Sequence, residues 1–438
     1  MWECKRVMEA IISSHAENTD VLPDSIRFKL DETASFVLGR RESTAYALGS
    51  SYSTDGVRVI QIAFGSTTEW LDPSSVLFSA MFTNTGTPAA YPSTPDANVC
   101  FSRIEIKLGS TSIEVLEDSH RMNQLFTLLT MSPAKRDNLS MLGFGSQPGD
   151  ISIAANHKAV HIPAGGSKRI FWKCNLSGLL NNPKWVPLYA LSGMGLQVLF
   201  TLAPVSETLI KKVGTVDYSQ SYRLTDVKAL ASMMLLSNEI QDSFNSSLLS
   251  GTALRIPIKK LSSFWSYLSN TAAASVFDIP ISRNFTRLAS LYCSFVQEHP
   301  DGTGELNIAN QFYVDPLSSE TLTVSLHLGT KALYDVPCVG FKECWHRLLS
   351  TIGIQGSLSH ASGVRYGDYS TNSAAVAADC KQIPHLASSG INLSNTSVIF
   401  LKFAGFGTTT ASLPSRAQII LQHDAIIECM DTSVSIYE

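Results

Sequence analysis

Apolar and polar residues alternate in the stretch FSRIEIKLGSTSIEVLEDSHRMNQLFTLL, residues 101–129, and the period then changes. Ile104, Ile106 and Leu108 are separated by charged residues, a period of two that predicts a strand with one buried face. A Leu-Gly-Ser turn follows, which predicts a hairpin with a second alternating strand. From Met122 onward the apolar residues are spaced by three and four positions, which predicts an amphipathic helix.

The same order of elements is predicted near the other end of the chain, in TLTVSLHLGTKALYDVPCVGFKECWHRLLSTIG, residues 321–353. Alternating apolar residues again lead to a Leu-Gly turn, and a second strand runs through Leu333 before residues at helical spacing. The two turn glycines, Gly109 and Gly329, lie about half a chain length apart. This spacing indicates an internal repeat of domain size.

Two further pairs of segments follow the copies in the same order. The apolar strand segment GLQVLFTLA (195–203) corresponds to TSVIFLKFAG (396–405). The long closing strand SYRLTDVKALASMMLLS (221–237) corresponds to AQIILQHDAIIECMDTSVSIYE (417–438), and each has an Asp near its start. A single shared motif would be a weak sign, but four landmarks in matching order indicate a duplication.

Each copy is predicted to be an all-β sandwich. About eight strand-like segments, separated by clusters of Gly, Pro, Ser, Thr and Asn, with one or two helices, are typical of a jelly roll. A parallel α/β fold would need a helix after nearly every strand, and the pattern does not contain them. We therefore predict two tandem eight-stranded jelly rolls with a few short helices in the loops. The predicted bounds are 22–237 and 238–438, after an N-terminal arm at 1–21.

Composition and charge narrow the class of function. Of the 438 residues, 44% are hydrophobic and only 16% are charged, which favours a protein that buries much of its surface in permanent contacts. The formal net charge of -4 and the absence of a dense Lys/Arg run argue against a protein dedicated to binding nucleic acid in a sequence-specific way.

The eight cysteines are scattered, without a Cys-x-x-Cys pair or a zinc-type spacing, so we expect buried thiols in a reducing compartment and no disulfides. Charged residues at Glu3, Lys5, Arg6 and Glu9 interrupt the start of the chain, where a signal peptide needs an apolar core. No later segment approaches the length of a membrane span. We expect synthesis in the cytoplasm without export.

Five segments in fixed order carry a resemblance to a known family. They are RVIQIAFGSTTEWLDPSSVLFSAMFTN (58–84), in which a strand leads through Leu71-Asp72-Pro73 into another strand, the first hairpin and helix (101–125), KWVPLYALSGMGLQVLFTLA (184–203), the closing strand YRLTDVKALASMMLLS, and RNFTRLASLYCSFVQ (283–297). The second Leu-Gly hairpin continues the match, and the resemblance covers about residues 25–438. The order of these segments resembles the double jelly-roll major capsid proteins of polinton-like viruses and virophages. It is more distantly similar to adenovirus hexon and to the coat proteins of nucleocytoplasmic large DNA viruses.

The resemblance implies a homotrimer that forms a pseudo-hexagonal capsomer and tiles an icosahedral virus shell. The implied partners are the chain itself and neighbouring capsomers, together with penton and minor capsid proteins, and an internal membrane is left open as a further partner. The implied location is the virion, after synthesis in the host cytoplasm. The protein would not be an enzyme, and the resemblance implies no catalytic, cofactor or metal site. No long insertion is apparent in the loops, so we expect no tall receptor-binding tower, and no cleaved tail follows the last strand.

Three residue pairs could in principle carry chemistry. His157 and His161 have the i, i+4 spacing of a helical zinc site, but Gly and Pro follow at once in a strand context, which favours structural histidines. Cys344 and His346 are two positions apart on a predicted helix and therefore point to different sides. The Gly-rich segment GFGSQPGD (143–150) lacks the Lys-Ser/Thr of a phosphate loop and is predicted to be a plain loop.

Glu105 and Glu114 form the third pair, since they could face each other across the first hairpin like the carboxylates of a glycosidase. Strand alternation instead predicts both on the polar face beside Arg103 and Lys107. The alternative function, a secreted or cytosolic carbohydrate-active enzyme or lectin built of two jelly rolls, would need such convergent carboxylates or an aromatic groove.

Two predictions concern single elements. The N-terminal segment, with Trp2, Val7, Met8, Ile11 and Ile12 beside Lys5 and Arg6, predicts a short amphipathic arm that contacts a neighbour, a minor protein or a membrane, or else a frayed end without a role. The helices at 119–130 and 341–352 are predicted to be equivalent elements. Phe126 and Trp345 would then occupy comparable buried sites.

Overall fold

Strands make up most of the regular structure of this chain. The computed structural model describes residues 36–66, 68–145, 159–190, 195–268, 276–283, 285–296, 307–312, 321–329, 331–334, 336–354, 363–364, 366–369, 374–383, 389–393, 398–405, 414–430 and 434–438. The strands of the first half are β1 (Val37–Tyr46), β2 (Ser51–Ser53), β3 (Val59–Phe64), β4 (Trp70–Asn84), β5 (Phe101–Leu108), β6 (Thr111–Glu117), β7 (Ser167–Trp172), β8 (Val186–Pro187), β9 (Leu196–Leu202), β10 (Lys212–Val213), β11 (Val216–Asp217) and β12 (Tyr222–Leu236). Those of the second half are β13 (Leu254–Tyr267), β14 (Phe277–Ile281), β15 (Leu288–Val296), β16 (Thr323–Leu328), β17 (Lys331–Ala332), β18 (Cys338–Val339), β19 (Ala375–Asp379), β20 (Ile399–Ala404), β21 (Arg416–Cys429) and β22 (Val434–Tyr437).

Helices are fewer and lie between strands. They are α1 (Ser119–Thr130), α2 (Pro133–Ser140), α3 (Val205–Thr208), α4 (Asn238–Leu249), α5 (Gly340–Ile352) and α6 (Tyr366–Tyr369), with short 3-10 helices at Ala97–Cys100 and Leu188–Ala190. Among the described residues, none of these helices combines the length and apolarity needed to cross a membrane.

The order of the strands within the sheets repeats from one half to the other. In the first half, one sheet has the order β1-β12-β4-β7 and the other the order β3-β9-β5-β6. In the second half the corresponding orders are β13-β21-β15-β19 and β14-β20-β16-β17. The eight strands on these paths are β1, β3, β4, β5, β6, β7, β9 and β12 in the first half. In the second half they are β13, β14, β15, β16, β17, β19, β20 and β21. Numbered 1 to 8 along the chain, both sets have the sheet orders 1-8-3-6 and 2-7-4-5. These are the two sheets of a jelly roll, and the predicted fold class of two tandem jelly rolls is confirmed.

The repeated Leu-Gly turns have the same geometry in both sandwiches. Gly109 and Gly329 have φ of 60° and 62°, a conformation that glycine adopts without the steric cost of a Cβ. The Gly109 N–H donates to the carbonyl of Gly195 at 2.8 Å, and the Gly329 N–H donates to the carbonyl of Val398 at 3.2 Å. Each acceptor directly precedes the seventh strand of its own sandwich, so the two turns occupy equivalent positions.

The helices after these hairpins also match the sequence pattern. Helix α1 has the predicted bounds, and α5 begins one residue before the predicted start. Helix α2 was not predicted, although its N-terminal signal is present: Pro133 occupies the first turn and the Ser132 hydroxyl accepts from the Lys135 N–H at 3.3 Å.

One predicted strand boundary differs from the structure. The segment Leu71-Asp72-Pro73 was predicted to lead into a strand, and it lies inside the long strand β4 instead. The pairing of β4 with β12 is irregular beside it, with a register shift between Leu230 and Ser232. Proline has no N–H to donate, so a strand accommodates it where the ladder is already interrupted.

Candidate functional site

Helix α1 and strand β6 of the first sandwich pack against the second sandwich, and we call this contact the junction. The Asp118 carboxylate accepts a hydrogen bond from the Trp265 indole N–H at 2.8 Å, and the Ser263 hydroxyl donates to the Glu117 carbonyl at 2.7 Å. The rings of Phe126 and Tyr292 meet edge to face at 5.1 Å. The junction is thus held by both polar and aromatic contacts.

Arg121 on α1 is the most deeply inserted charge of the junction, with no exposed surface. Its guanidinium donates to Gln418 Oε1 at 2.9 Å and to Ser294 Oγ at 3.1 Å. It also donates to three backbone carbonyls of the second half, those of Ile308 (2.7 Å), Gln311 (2.5 Å) and Phe295 (3.2 Å). One side chain of the first sandwich therefore satisfies five acceptors of the second.

Every hydrogen-bond acceptor named for Arg121 is electrically neutral. The guanidinium lies 4.4 Å from the ring centre of Phe312 and 5.4 Å from that of Trp265, a geometry in which aromatic faces stabilise a cation. Burial lowers the pKa of Arg121 to about 9, which still leaves it protonated at neutral pH. Because removing one partner leaves the other buried and unsatisfied, deleting the Arg121 side chain while the junction is closed would be costly.

The segment 174–183 of the first sandwich is the second contact zone. An added Cβ on Gly178 would lie 2.2 Å from the carbonyl oxygen of Lys259 on β13, so only glycine allows this approach. The Asn182 side-chain amide donates to the carbonyl of Pro257 at 2.7 Å. Backbone of the first sandwich therefore lies directly against the first strand of the second.

Glu114 corrects a prediction made from alternation. The sequence predicted it on the polar face with Glu105, but it is fully buried and accepts from the N–H groups of Gly178 (2.7 Å) and Leu179 (3.3 Å) and from the Ser177 hydroxyl. The physical reason is a register shift in the β5–β6 pairing, which places Glu114 opposite the buried Ile106. Burial raises the pKa of this carboxyl, and the three hydrogen bonds oppose the rise.

Glu105 keeps the predicted environment. Its carboxylate lies 3.3 Å from both Arg103 and Lys107 and accepts from the Ser112 hydroxyl at 3.0 Å. Glu105 thus belongs to a surface cluster, whereas Glu114 is enclosed by the turn at 177–179. The two carboxylates do not form an acid/base pair around a common cleft.

A cavity of about 580 Å³ lies at the junction. Its lining comes from both sandwiches and includes Phe126, Met131 and Leu176 from the first and Pro257, Leu261 and Gln422 from the second. Phe126 faces this cavity, which corrects its predicted full burial: the ring is half-buried and contacts the other sandwich. Trp345 is also half-buried, against Tyr369 (4.8 Å) and Tyr366 (6.2 Å) of its own sandwich.

The remaining sequence candidates are not brought together. His161 packs on the rings of Tyr91 and Tyr218, at 4.3 and 5.1 Å between centres, while His157 lies outside the described residues. Cys344 is buried and His346 is exposed on the same helix, so the prediction that they face different sides is confirmed. The loop at 143–150 is described only to residue 145, and the N-terminal arm at 1–21 lies outside the described part of the chain.

The cysteines and potential metal ligands of the described ranges form no disulfide and no metal cluster. Seven cysteines are buried free thiols, and burial raises the pKa of Cys344 and Cys380 to about 12; Cys4 lies outside these ranges. No group of three or more His, Cys, Asp or Glu side chains in the described ranges is placed to hold a metal ion.

Sequence reasoning missed the junction residues. Arg121 sits between His120 and Met122 in a helix whose apolar stripe was recognised, and a charge at that position normally faces water. Its acceptors are 173 or more positions away in the chain. No local signal marks such a residue.

Several solved structures from viruses are similar to this chain. A chain of the PBCV-1 virus capsid aligns with a TM-score of 0.66 at 14% identity, covering 94% of this chain and 99% of that one. A chain in the structure of the Sputnik virophage aligns with a TM-score of 0.61 at 8% identity, covering 96% and 92%. The Faustovirus major capsid protein aligns with a TM-score of 0.61 at 9% identity, covering 94% and 93%.

No protein-family model and no curated protein matches the sequence. The structural agreement nevertheless extends over nearly the whole of each chain, so it includes both sandwiches and not one alone. This chain has the double jelly-roll fold of viral major capsid proteins.

Proposed function

We propose that this chain is the major capsid protein of a DNA virus. The observation that carries the proposal is the pairing of two complete jelly rolls, 1-8-3-6 and 2-7-4-5 in each, through a junction centred on the buried Arg121. A chain built in this way is a single block with two similar halves. Its similarity to capsid chains over more than 90% of both lengths supports a structural role.

In this proposal three chains form a homotrimer with six sandwiches, which gives a pseudo-hexagonal capsomer from a threefold assembly. Capsomers then contact one another, and penton and minor capsid proteins complete an icosahedral shell. The domains are 22–237 and 238–438, after the arm at 1–21. The chain is made in the host cytoplasm, acts in the virion and is not an enzyme.

The carbohydrate-active alternative has no supporting observation. Glu105 and Glu114, the carboxylates that it would use, are on different sides of β5–β6, and Glu114 is closed off by its hydrogen bonds. The cavity at the junction is lined mainly by amide, hydroxyl and aliphatic groups from both sandwiches, with Phe126 as its aromatic residue, Lys259 as its amine and Asp424 as its carboxylate.

Light scattering on the purified full-length protein tests the proposal. The expected result is a mass three times that of the 47.6 kDa chain at micromolar concentration. A stable monomer under the same conditions would contradict it.

A further inference from the structure

The sheets β1-β12-β4-β7 and β13-β21-β15-β19 occupy the same place in the two sandwiches. They differ in what covers their outer face, which is the face turned away from the core of the sandwich. In the second sandwich this outer face is buried, since Tyr292, Ser294, Gln418 and Ile420 are at most 4% exposed. The cover is helix α1 of the first sandwich, through Phe126 on Tyr292 and Arg121 on Ser294 and Gln418.

The outer face of the same sheet in the first sandwich is only partly covered within the described residues. Phe244 of helix α4 packs on Trp70 at one end of it, at 5.1 Å between ring centres. Leu77, Met81, Phe171 and Leu230 are only half-buried there, and Leu77 pairs with Leu230 across two neighbouring strands. The core-facing neighbours Phe78 and Phe82, in contrast, are fully buried.

Three exposed apolar residues border this face. The carbonyl of Leu142 accepts from the Phe171 N–H at 2.7 Å, and Leu139, Met141 and Leu142 are 42%, 63% and 46% exposed. Leu77, Leu139, Leu142 and Phe171 also line one shallow cavity of about 170 Å³. We call the four half-buried residues and these three exposed ones the open face. Ser79 and the Arg169–Asp226 ion pair lie beside them on the same side of the sheet, and exposed apolar patches bordered by polar residues mark contact sites.

Helix α5 is the counterpart of α1, because both follow the hairpin of the fourth and fifth strands. Both helices bury one apolar side in their own sandwich, through Met122, Leu125 and Leu129 in α1 and Phe341, Cys344 and Leu348 in α5. Helix α1 uses its other side for the junction. Helix α5 leaves Lys342, His346 and Ser350 exposed and Trp345 half-buried on the side away from its core.

We propose that the open face is covered by helix α5 of a second copy of this chain, around Trp345. The proposal rests on the proposed function and names the surfaces that the trimer would use. Within one chain, the helix of sandwich one covers the sheet of sandwich two. Between chains, the helix of sandwich two covers the sheet of sandwich one, and three such contacts close a ring of six sandwiches.

The first test compares charge substitutions on exposed residues. Met141→Lys places a cation on the open face, where the second copy would present Lys342, and Lys342→Glu reverses a charge on α5. Val216→Lys, in the separate β10–β11 hairpin, is the matched control with a 53% exposed side chain. Light scattering over a dilution series should show at least tenfold weaker trimerisation for the first two variants and wild-type behaviour for the control. Circular dichroism melts should show that all three fold.

The second test joins the two surfaces covalently. In a Cys4→Ser background, Met141→Cys and Lys342→Cys together should give covalent dimers and trimers with a short bismaleimide, whereas either cysteine alone should not. The assignment of these surfaces is overturned if Met141→Lys and Lys342→Glu trimerise like the wild type, or if the double cysteine variant forms a trimer that does not cross-link. Either result leaves the proposed function standing. A wild-type chain that is monomeric overturns both.

Discussion

At the scale of single residues, Arg121 makes two sandwiches behave as one unit. It donates to side chains and carbonyls that belong to strands β15 and β21 and to the segment 307–312. Three of these acceptors, Gln418 Oε1, Ser294 Oγ and the Phe295 carbonyl, are buried with Arg121, so they depend on protein donors while the junction is closed.

Removing this side chain should therefore destabilise the whole chain. Arg121→Ala removes the donor of five acceptors, three of them buried, and we expect a loss of about 3–5 kcal/mol in the free energy of unfolding. Arg121→Lys keeps the charge but lacks the planar fork of donors, so an intermediate loss is expected. The control is Arg255→Ala, since Arg255 is 71% exposed in its pair with Glu428 and should contribute less than about 1 kcal/mol. Urea unfolding measures all three, and equal values for the variants at 121 and 255 would refute this role.

His423 gives the chain a pH dependence. It is fully buried, stacked on Phe285 at 4.0 Å between ring centres, with the Glu438 carboxylate 3.9 Å from its Nε2 atom. Burial lowers the pKa of His423 from 6.5 to about 4; Glu438 acts against this shift and Lys260 adds to it. Between these two pH values the unfolded chain binds a proton that the folded chain does not, so stability falls as the pH drops from 6.5 to 4.

The size of this effect can be measured by substitution. If His423 is protonated in the unfolded chain but not in the folded chain, the free energy of unfolding falls by up to about 3 kcal/mol at pH 4. His423→Leu removes the titrating group, so the difference in unfolding free energy between wild type and variant should shrink or reverse from pH 7 to pH 4.5. Parallel pH curves for the two proteins would show that His423 does not titrate in this window.

At the scale of elements, the hairpin and helix that occur twice have different neighbours. Phe126 and Trp345 are both half-buried, but Phe126 contacts the other sandwich and Trp345 contacts tyrosines of its own. The bounds of both helices were predicted to within one residue because their apolar stripes are regular. It could not tell which sandwich lies against the remaining side of each helix.

Truncation of these two aromatic residues should cost less than truncation of a core residue. Because each ring is partly solvated, we expect Phe126→Ala and Trp345→Ala to lower the free energy of unfolding by about 1–3 kcal/mol each. Leu125→Ala, at a site that is 1% exposed, should cost at least as much as either, although its side chain is smaller. Thermal or urea unfolding measures the loss in free energy of unfolding for each of the three variants. A loss for either aromatic variant well above that for Leu125→Ala would contradict the half-buried sites described for these rings.

At the scale of the whole molecule, the repeat was readable from the sequence because turn chemistry and strand alternation are local properties. Gly109 and Gly329 mark the same turn in both halves, and the structure gives them the same φ and equivalent hydrogen bonds. Glu114 was misplaced because one register shift reverses the face of a strand residue. Arg121 was missed because its acceptors are far away in the chain, and only folding brings them together.

The most direct measurement is single-particle cryo-electron microscopy of the purified full-length protein. Our account predicts a threefold particle whose six sandwiches form a pseudo-hexagonal ring, with the Arg121 junction inside each chain and helix α5 on the open face between chains. Isolated chains, or an oligomer in which the sandwiches do not form such a ring, would contradict the proposal that this chain is a capsid subunit.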